Sequence, residues 1–306
     1  MNPLPAGAPA PRVSVIIPCR NYGHYLPDAV ASLRAQTMPS WECVVVDDGS
    51  TDDSAEVAAR LAFGDSRLRL IRQPWQGCAR ARNTGLDAVR GQYVQFLDAD
   101  DVIRPTKLAI QLAALEGSRR PALAICDYAC APDHDLEIED TDSLSPRLNG
   151  SRPLVDLAAR WERSLSIPVH CFLFDRRLFA GIRFDERLLS HEDWDCWLRI
   201  FALDPPIHFI DKRLAVYRRH AGSESGNRRM MRRTFLRAAR QQRRAFQHDP
   251  VLVAVLTAKI AEIERSYRDV SPRARVVRAA THVFPVGVRR RLIRPLFVWL
   301  DRRASP

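Results

Sequence analysis

Short apolar runs alternate with amphipathic stretches along the first two-thirds of the chain. Residues 13–17 are apolar and β-branched, residues 25–36 place apolar side chains at helical spacing, and residues 43–46 form an apolar run typical of buried parallel strands. The same alternation predicts strands at 68–71, 93–97, 122–126, 171–174 and 214–217, and helices at 54–61, 79–89, 106–115, 155–165 and 194–203. Such alternation predicts βαβ units and a parallel sheet that helices cover on both faces.

Three segments depart from this alternation. Residues 1–11 are rich in proline and alanine and predict a disordered leader, while residues 133–150 are polar and acidic and predict a surface loop. Beyond residue 226 the pattern changes to Arg-rich or amphipathic helices, at 228–247, 250–265 and 288–300. We therefore expect a main domain over residues 12–226 and a basic helical extension over residues 227–306.

Positive charge is concentrated in that extension. The net charge is +11, but residues 228–306 carry 20 Arg or Lys against 5 Asp or Glu, which leaves the rest of the chain at −4. A basic tail indicates an anionic partner, either a membrane surface or a polyanion. Nucleic acid is the less favoured partner because the tail has no recognition motif with interleaved aromatic residues. Whether the basic helices bind a membrane or pack on the protein body stays open.

Cysteine usage and hydropathy predict a cytoplasmic protein. A peripheral position at the inner face of the membrane is compatible with this prediction. The seven cysteines are an odd number in mostly apolar segments, and the N-terminus has no pattern of a secretory leader, so we expect free, buried thiols. Cys126 and Cys130 have no second pair at zinc spacing. No apolar stretch approaches the roughly 18 residues needed to span a bilayer.

Acidic residues cluster where two predicted strands end. The strand at 93–97 leads into Asp98, Asp100 and Asp101, whose carboxylates repel one another and therefore favour a bound cation. Hard divalent ions such as Mg²⁺ or Mn²⁺ take oxygen ligands from carboxylates and substrate phosphates, which indicates a nucleoside diphosphate. The alternative is that an aspartate only caps the following helix.

A second acidic cluster follows the strand at 43–46. Residues 47–52 are Asp-Asp-Gly-Ser-Thr-Asp, which also suits a turn and a helix cap. Ligands of parallel sheets bind beyond the carboxyl ends of the strands, which is where both acidic clusters fall. Their coincidence favours a binding site at this edge of the sheet.

Six motifs taken together resemble family 2 glycosyltransferases. They occupy residues 13–18, 46–52, 81–85, 97–101, 191–195 and 217–220. The resemblance covers roughly residues 12–222 and implies an α/β protein of the GT-A fold, a Rossmann-like, mostly parallel sheet with helices on both faces. It also implies an inverting enzyme that moves a sugar from a nucleoside diphosphate donor, most simply a UDP-sugar, to a hydroxyl of a glycan or lipid-linked glycan.

The resemblance assigns the donor site to the first three strands. Asp48 would recognise the nucleobase, with Asp47 as the alternative, and Pro18 and Arg20 would line the same pocket. Arg82 would donate to the diphosphate, although a surface ion pair explains its charge as well.

The resemblance assigns the metal site to residues from both ends of the domain. Asp98 would contact the ribose or donor sugar, and Asp100 would bind Mg²⁺ or Mn²⁺. His220 would approach the metal or the diphosphate.

Catalysis is expected at the start of the helix near residue 194. Asp193 is the predicted base that takes the proton of the acceptor hydroxyl, and its neighbour Glu192 would raise its pKa. Glu192 and Trp194 are the predicted acceptor contacts, with helix capping and core packing as their respective alternatives. A catalytically silent sugar-nucleotide-binding scaffold protein is the alternative function.

Overall fold

The computed structural model describes residues 10–137, 146–148, 151–222 and 227–266. Most of the predicted leader, part of the acidic loop and the whole predicted helix at 288–300 lie outside the described residues.

The described residues contain eight strands and eight α-helices. The strands are β1 (Val13–Cys19), β2 (Trp41–Asp48), β3 (Leu68–Gln73), β4 (Tyr93–Phe96), β5 (Val102–Ile103), β6 (Leu123–Pro132), β7 (Phe172–Asp175) and β8 (Ile207–Arg219). The helices are α1 (Leu26–Arg34), α2 (Ser54–Phe63), α3 (Cys78–Ala88), α4 (Lys107–Leu115), α5 (Pro153–Arg160), α6 (Glu192–Phe201), α7 (Arg228–Ala245) and α8 (Pro250–Ser266). The predicted alternation of strands and helices is confirmed.

The strands form one sheet in the order β3-β2-β1-β4-β7-β6-β8-β5. The pairs β1–β2, β2–β3, β1–β4 and β6–β8 are parallel, whereas β7 is antiparallel to both of its neighbours and β5 to β8. The expectation of a mostly parallel α/β sheet is therefore confirmed. Because the carboxyl ends of β1, β2 and β4 point the same way, the acidic segments that follow β2 and β4 reach one edge of the sheet.

Helices pack on both faces of the sheet, as the strand periodicity requires. Val13, Val15 and Ile17 of β1 pack in a core with the buried faces of α1 and α4. The intervening Ile16 meets α3 on the other face, where a Cβ on Gly85 would lie 2.3 Å from the Ile16 side chain. On that face α6 also packs Trp197 against Phe172 and Phe174, with ring centroids 5.0 and 4.7 Å apart.

Three predicted elements have clearly different bounds in the structure. The strand expected at 122–126 continues to Pro132. The helix expected at 155–165 ends at Arg160, and the chain then turns so that Trp161 and Leu165 form a bridge. The last strand, expected at 214–217, begins at Ile207 because residues 207–213 pair with β6 although they mix apolar with charged side chains. An apolar run marks only the buried half of that strand.

The two described helices of the predicted extension, α7 and α8, begin and end close to the predicted bounds. The chain divides into two compact units, Met1–Ile260 and Ala261–Pro306, and α7 belongs to the first. Gln242 of α7 donates a hydrogen bond to Asp195 of α6, so this helix packs on the protein body. The expected division at residue 226 stays a prediction.

All seven cysteines are free, and six of them are buried, as expected. Among the residues that the structure describes, none of the helices is both long enough and apolar enough to cross a membrane.

Candidate active site

The predicted site residues converge on one cleft at the carboxyl ends of the parallel strands. The cleft has a volume of about 690 Å³. Eight of the eleven predicted residues line it: Pro18, Arg20, Asp48, Arg82, Asp98, Asp100, Glu192 and Asp193. Asp47, His220 and Trp194 are not among the lining residues. Aspartates that are far apart in the sequence thus meet at one solvent-accessible site.

Asp48 organises the loop between β3 and α3. Its Oδ1 accepts hydrogen bonds from Gln73 Nε2 at 2.7 Å and the Gln76 backbone N–H at 2.9 Å, and its Oδ2 accepts from the Gly77 N–H at 2.8 Å. A carboxylate offers about four acceptor sites, so Asp48 keeps capacity for one further donor such as a base N–H. Its role in base recognition stays a prediction.

Asp47, the alternative base reader, lies off the cleft. Its carboxylate accepts the Ser50 backbone N–H at 3.3 Å and lies 3.7 Å from the guanidinium of Arg72. Successive side chains of a strand point to opposite faces, which separates Asp47 from Asp48. The structure favours the alternative of a turn for this residue, and Asp52, two residues before α2, accepts the Ser54 N–H at 3.0 Å.

Arg20 forms the rim of the cleft together with Trp75. The Arg20 guanidinium carbon lies 4.7 Å from the centre of the Trp75 ring, and 56% of Trp75 is exposed. Gly49 has φ +66°, and a Cβ there would lie 2.5 Å from the Trp75 nitrogen. Any larger residue at position 49 would therefore collide with the loop that carries Trp75.

Arg82 joins two acidic segments of the cleft. Its Nη2 lies 2.8 Å from Asp98 Oδ1, and its Nη1 pairs with Glu192 at the start of α6. Arg82 is buried, and both of these nitrogens already hold carboxylates. The predicted contacts of Arg82 with the diphosphate and of Glu192 with the acceptor stay predictions, and the observed ion pairs give both residues a structural role.

Asp100 and His220 meet beside the cleft. His220 Nε2 lies 2.9 Å from Asp100 Oδ2, although the two residues are 120 positions apart. Burial, followed by the charges of Asp101 and Asp98, raises the pKa of Asp100 to about 7. The rings of Tyr22 and Tyr25 pack around His220, at 5.6 and 4.9 Å between centroids.

The donor chemistry of this pair fits a hard divalent ion. A carboxylate oxygen and an imidazole nitrogen are both ligands of Mn²⁺-type ions, and the crowding of Asp98, Asp100 and Asp101 is relieved by positive charge. Within the described residues, no group of three or more His, Cys, Asp or Glu is placed to hold a metal. A cation at Asp100 therefore needs further oxygen ligands from a substrate or from water.

Asp101 has a structural role. Its Oδ1 accepts the Arg218 backbone N–H at 2.9 Å, and its Oδ2 lies 2.9 Å from His170 Nδ1. The Arg218 side chain returns to the Asp100 carbonyl at 2.7 Å and to Asp28 at 2.7 Å. These contacts hold the end of β8, and with it His220, against the acidic segment.

Asp193 lies in the first turn of α6. Its Oδ1 accepts the Trp194 backbone N–H at 2.6 Å. Burial, together with the charge of Glu192, raises the pKa of Asp193 to about 6, while Arg82 and His191 act in the opposite direction. A carboxylate with such a pKa is deprotonated at neutral pH and still accepts a proton readily, which suits a general base.

His191 fixes the start of α6. It has φ 59°, a left-handed conformation that is uncommon for residues other than glycine. Its Nε2 lies 3.1 Å from Glu162 Oε1, and its ring stacks on Phe235 of α7 at 4.0 Å. The sequence motif at 191–195 did not indicate this role for His191.

The expectation that Trp194 offers a stacking platform to the acceptor is wrong. Trp194 is fully buried, its Nε1 donates to the Leu157 carbonyl at 3.2 Å, and its ring meets Phe235 edge to face at 5.0 Å. With no accessible ring face it cannot stack on a sugar. The alternative, a core residue, is correct because α5 and α7 cover this side of α6.

Comparison with known proteins agrees with this geometry. Residues 14–181 match the family described as Glycosyl transferase family 2. The chain belongs to glycosyltransferase family 2. The glycosyltransferase EpsJ of Bacillus subtilis (strain 168) is 29% identical over 221 residues, which cover 70% of this chain and 62% of that protein. The match thus spans less than two thirds of that relative's length.

Solved structures share the fold of this family 2 chain. The mannosyltransferase PcManGT from Pyrobaculum calidifontis, in complex with GDP-Man and Mn²⁺, aligns with a TM-score of 0.59 at 18% identity and covers 97% of this chain and 81% of its own. S. aureus TarS 1–349 in complex with UDP-GlcNAc aligns with a TM-score of 0.55 at 21% identity, over 74% of this chain and 66% of its own. The predicted GT-A fold is confirmed.

Sequence reasoning missed the apolar side of the cleft in this family 2 domain. Trp161, Ile167, Leu189, Met230 and Met231 line the same cleft as the acidic residues. Met230 and Met231 come from α7, where they stand between arginines. These two adjacent methionines within a basic helix were the feature of the sequence that could have predicted an apolar contribution to the cleft.

Proposed function

We propose that this protein is an inverting glycosyltransferase that moves a sugar from a nucleoside diphosphate donor, most simply a UDP-sugar, to a hydroxyl of a glycan or lipid-linked glycan. The observation that carries the proposal is that Asp48, Asp100 and Asp193, from three separate segments, line one cleft of a GT-A domain. In the proposed reaction, Asp48 recognises the base, Asp100 acts at the diphosphate and Asp193 acts on the acceptor.

Asp193 is the proposed general base. The acceptor oxygen attacks the anomeric carbon as the bond to the diphosphate oxygen breaks, and the bonding electrons leave with the nucleoside diphosphate. The acceptor proton passes to the Asp193 carboxylate, whose position in the first turn of α6 is held by the Trp194 N–H. One in-line displacement inverts the configuration at the sugar carbon.

Asp100 and His220 are the proposed ligands of Mg²⁺ or Mn²⁺. When bound, such an ion supplies Lewis-acid stabilisation of the negative charge on the departing diphosphate. Asp101 and Arg218 are positioning residues, because their hydrogen bonds hold the end of β8 next to Asp100. Asp98 is proposed to contact the ribose or the donor sugar with the oxygen that Arg82 leaves available.

The base of the donor is proposed to lie near Pro18, Arg20 and Asp48. Asp48 keeps an acceptor site for a ring N–H of the kind that uracil offers, and Arg20 stands over the exposed Trp75 ring at the rim. The UDP-GlcNAc complex of TarS and the GDP-Man complex of PcManGT illustrate two bases that this fold accepts in other proteins.

A donor panel tests the proposal. Wild-type protein with Mn²⁺ is mixed with UDP-, GDP- and TDP-sugars, and both the thermal shift and the release of nucleoside diphosphate, with water as the acceptor of the sugar, are measured. We expect a UDP-sugar to raise the melting temperature and to be turned over, and Asp193→Asn to keep the shift but lose the turnover. A shift without turnover in the wild type indicates the silent scaffold protein instead. No shift with any donor rejects the proposal.

A further inference from the structure

Helix α7 carries an unusual concentration of one charge. Its 18 residues contain eight arginines and no acid. One side of the helix is buried against the protein body through Phe235, Leu236, Ala238, Ala239 and Gln242. The other side exposes the arginine face, which we define as Arg229, Arg232, Arg233, Arg237, Arg240 and Arg244.

Three arginines of this face, all near the start of α7, lack a partner among the described residues. Within the described part of the chain, the side chains of Arg229, Arg232 and Arg233 form no hydrogen bond or ion pair. Arginines three and four positions apart on a helix repel one another. Other exposed arginines have acidic partners, such as Arg177 with Asp175 at 2.7 Å and Arg80 with Glu186 at 3.0 Å.

The chain after residue 266 adds positive charge as well. It contains ten arginines and two aspartates, so its net charge has the same sign as that of α7. An external anionic partner therefore explains why Arg229, Arg232 and Arg233 stand together at the exposed surface of α7.

The arginine face begins beside residues of the cleft. Met230 and Met231, in the first turn of α7, line the cleft and are called here the Met230–Met231 lip. Arg229 and Arg232 directly flank the two methionines in sequence. Thr234 of the same helix shares a hydrogen bond with Ser190, three residues before Asp193. A surface that binds the first arginines of α7 consequently lies close to the Met230–Met231 lip.

We infer that the arginine face docks the protein on an anionic phospholipid surface, which brings the Met230–Met231 lip to a lipid-borne acceptor. The docking follows from charge alone, whereas the nature of the acceptor rests on the proposed function. The arginine face has no aromatic side chain on which nucleobases could stack, so a membrane fits it better than a nucleic acid. Each basic residue near an anionic membrane strengthens binding about fivefold.

Vesicle co-sedimentation of the full chain tests the inference. The probes are phosphatidylcholine vesicles with and without phosphatidylglycerol, and the variant is Arg229→Ala/Arg232→Ala/Arg233→Ala. We expect binding only to the anionic vesicles, salt-sensitive, and a loss on the order of a hundredfold in the variant, from three contributions of about fivefold each.

The matched control removes the same charge from elsewhere on the surface. It replaces three exposed arginines outside α7 with alanine: Arg60, Arg119 and Arg163. We expect it to bind anionic vesicles within a few-fold of the wild type, and both variants to melt within a few degrees of it because the replaced side chains are exposed.

Three results would overturn the inference. They are undiminished vesicle binding by the α7 variant, an equal loss in the control, and a preference of the wild type for duplex DNA over anionic vesicles. None of these measurements uses turnover, so a failure here is distinguishable from a failure of the proposed transferase activity.

Discussion

Replacing Arg82 with methionine removes the cation that ties the end of β4 to the start of α6. Arg82 is only 4% exposed at its side chain, and of its two carboxylate partners Glu192 is buried while Asp98 is 34% exposed. Methionine retains much of the volume of the side chain, so the change isolates the loss of charge and hydrogen bonds. We expect both the stability of the fold and the pH profile of the reaction to change.

The Glu192 partner dominates the loss of stability. Removing one member of a buried ion pair costs about 3–5 kcal/mol because the remaining charge stays buried without a partner. A solvent-exposed ion pair contributes only about 0–1 kcal/mol to stability. The contact between Arg82 and Asp98 is closer to this exposed kind than to a buried pair. The free energy of unfolding of Arg82→Met should therefore fall by about 3–5 kcal/mol.

Arg82 also acts on the proposed base. Burial and the charge of Glu192 raise the pKa of Asp193 to about 6, and Arg82 opposes this rise. Without Arg82 the pKa of Asp193 increases further. Because a base must be deprotonated to accept the acceptor proton, the acid limb of kcat should move to higher pH in the variant.

Urea denaturation and a pH–rate profile measure the two effects. Arg80→Met is the control, because Arg80 pairs with Glu186 at 3.0 Å, both side chains are more than 40% exposed, and the change should cost no more than about 1 kcal/mol. If Arg82→Met is no less stable than Arg80→Met, the buried-pair argument is refuted. An acid limb that stays in place or moves to lower pH refutes the electrostatic argument.

Four further changes have expected outcomes. Asp193→Asn should lower kcat by about 10²–10⁴-fold, and wild-type kcat should fall below pH about 6 as this carboxylate becomes protonated; a pH-independent kcat down to pH 5 or so would contradict this. Asp100→Ala should remove the Mn²⁺-dependent part of the thermal shift caused by UDP, and an unchanged shift would exclude it as a ligand. Phe235→Ala should cost about 3–5 kcal/mol in urea denaturation because the ring is almost fully buried; a loss below 1 kcal/mol or so would show that the site repacks. Gly49→Ala should weaken UDP binding in calorimetry because its φ of +66° and the nearby Trp75 nitrogen leave no room for a Cβ, and unaltered affinity would dissociate this loop from the donor.

Local features of the sequence were sufficient for most of the fold. Apolar runs and helical spacing are set by neighbouring residues, so the strands at 43–46 and 68–71 and the helix at 54–61 were predicted close to their observed bounds. The acidic motifs at 47–52 and 97–101 were placed on one edge by the general rule for parallel strands. That rule needs only the order of the elements.

Side-chain environments depended on contacts between distant segments. Asp47 and Asp48 are chemically identical neighbours, and only the pairing of β2 decides that Asp48 lines the cleft while Asp47 lies beside Arg72. Arg82 and Glu192 are 110 positions apart, and their ion pair exists because α6 packs beside α3. Neither outcome is encoded in a short stretch of sequence.

The sequence by itself determined which chemical groups are available and in which motifs they stand: the acids after two strands, the Glu192–Asp193 pair and the arginines beyond residue 226. Tertiary structure alone decided which of them meet water and which are covered. Trp194 became a core residue because α7 lies over it, and the same packing turned the other side of α7 outward. The physical reason is that residue type sets what a side chain can do, whereas its solvation and its charged neighbours depend on segments that come together only when the chain folds.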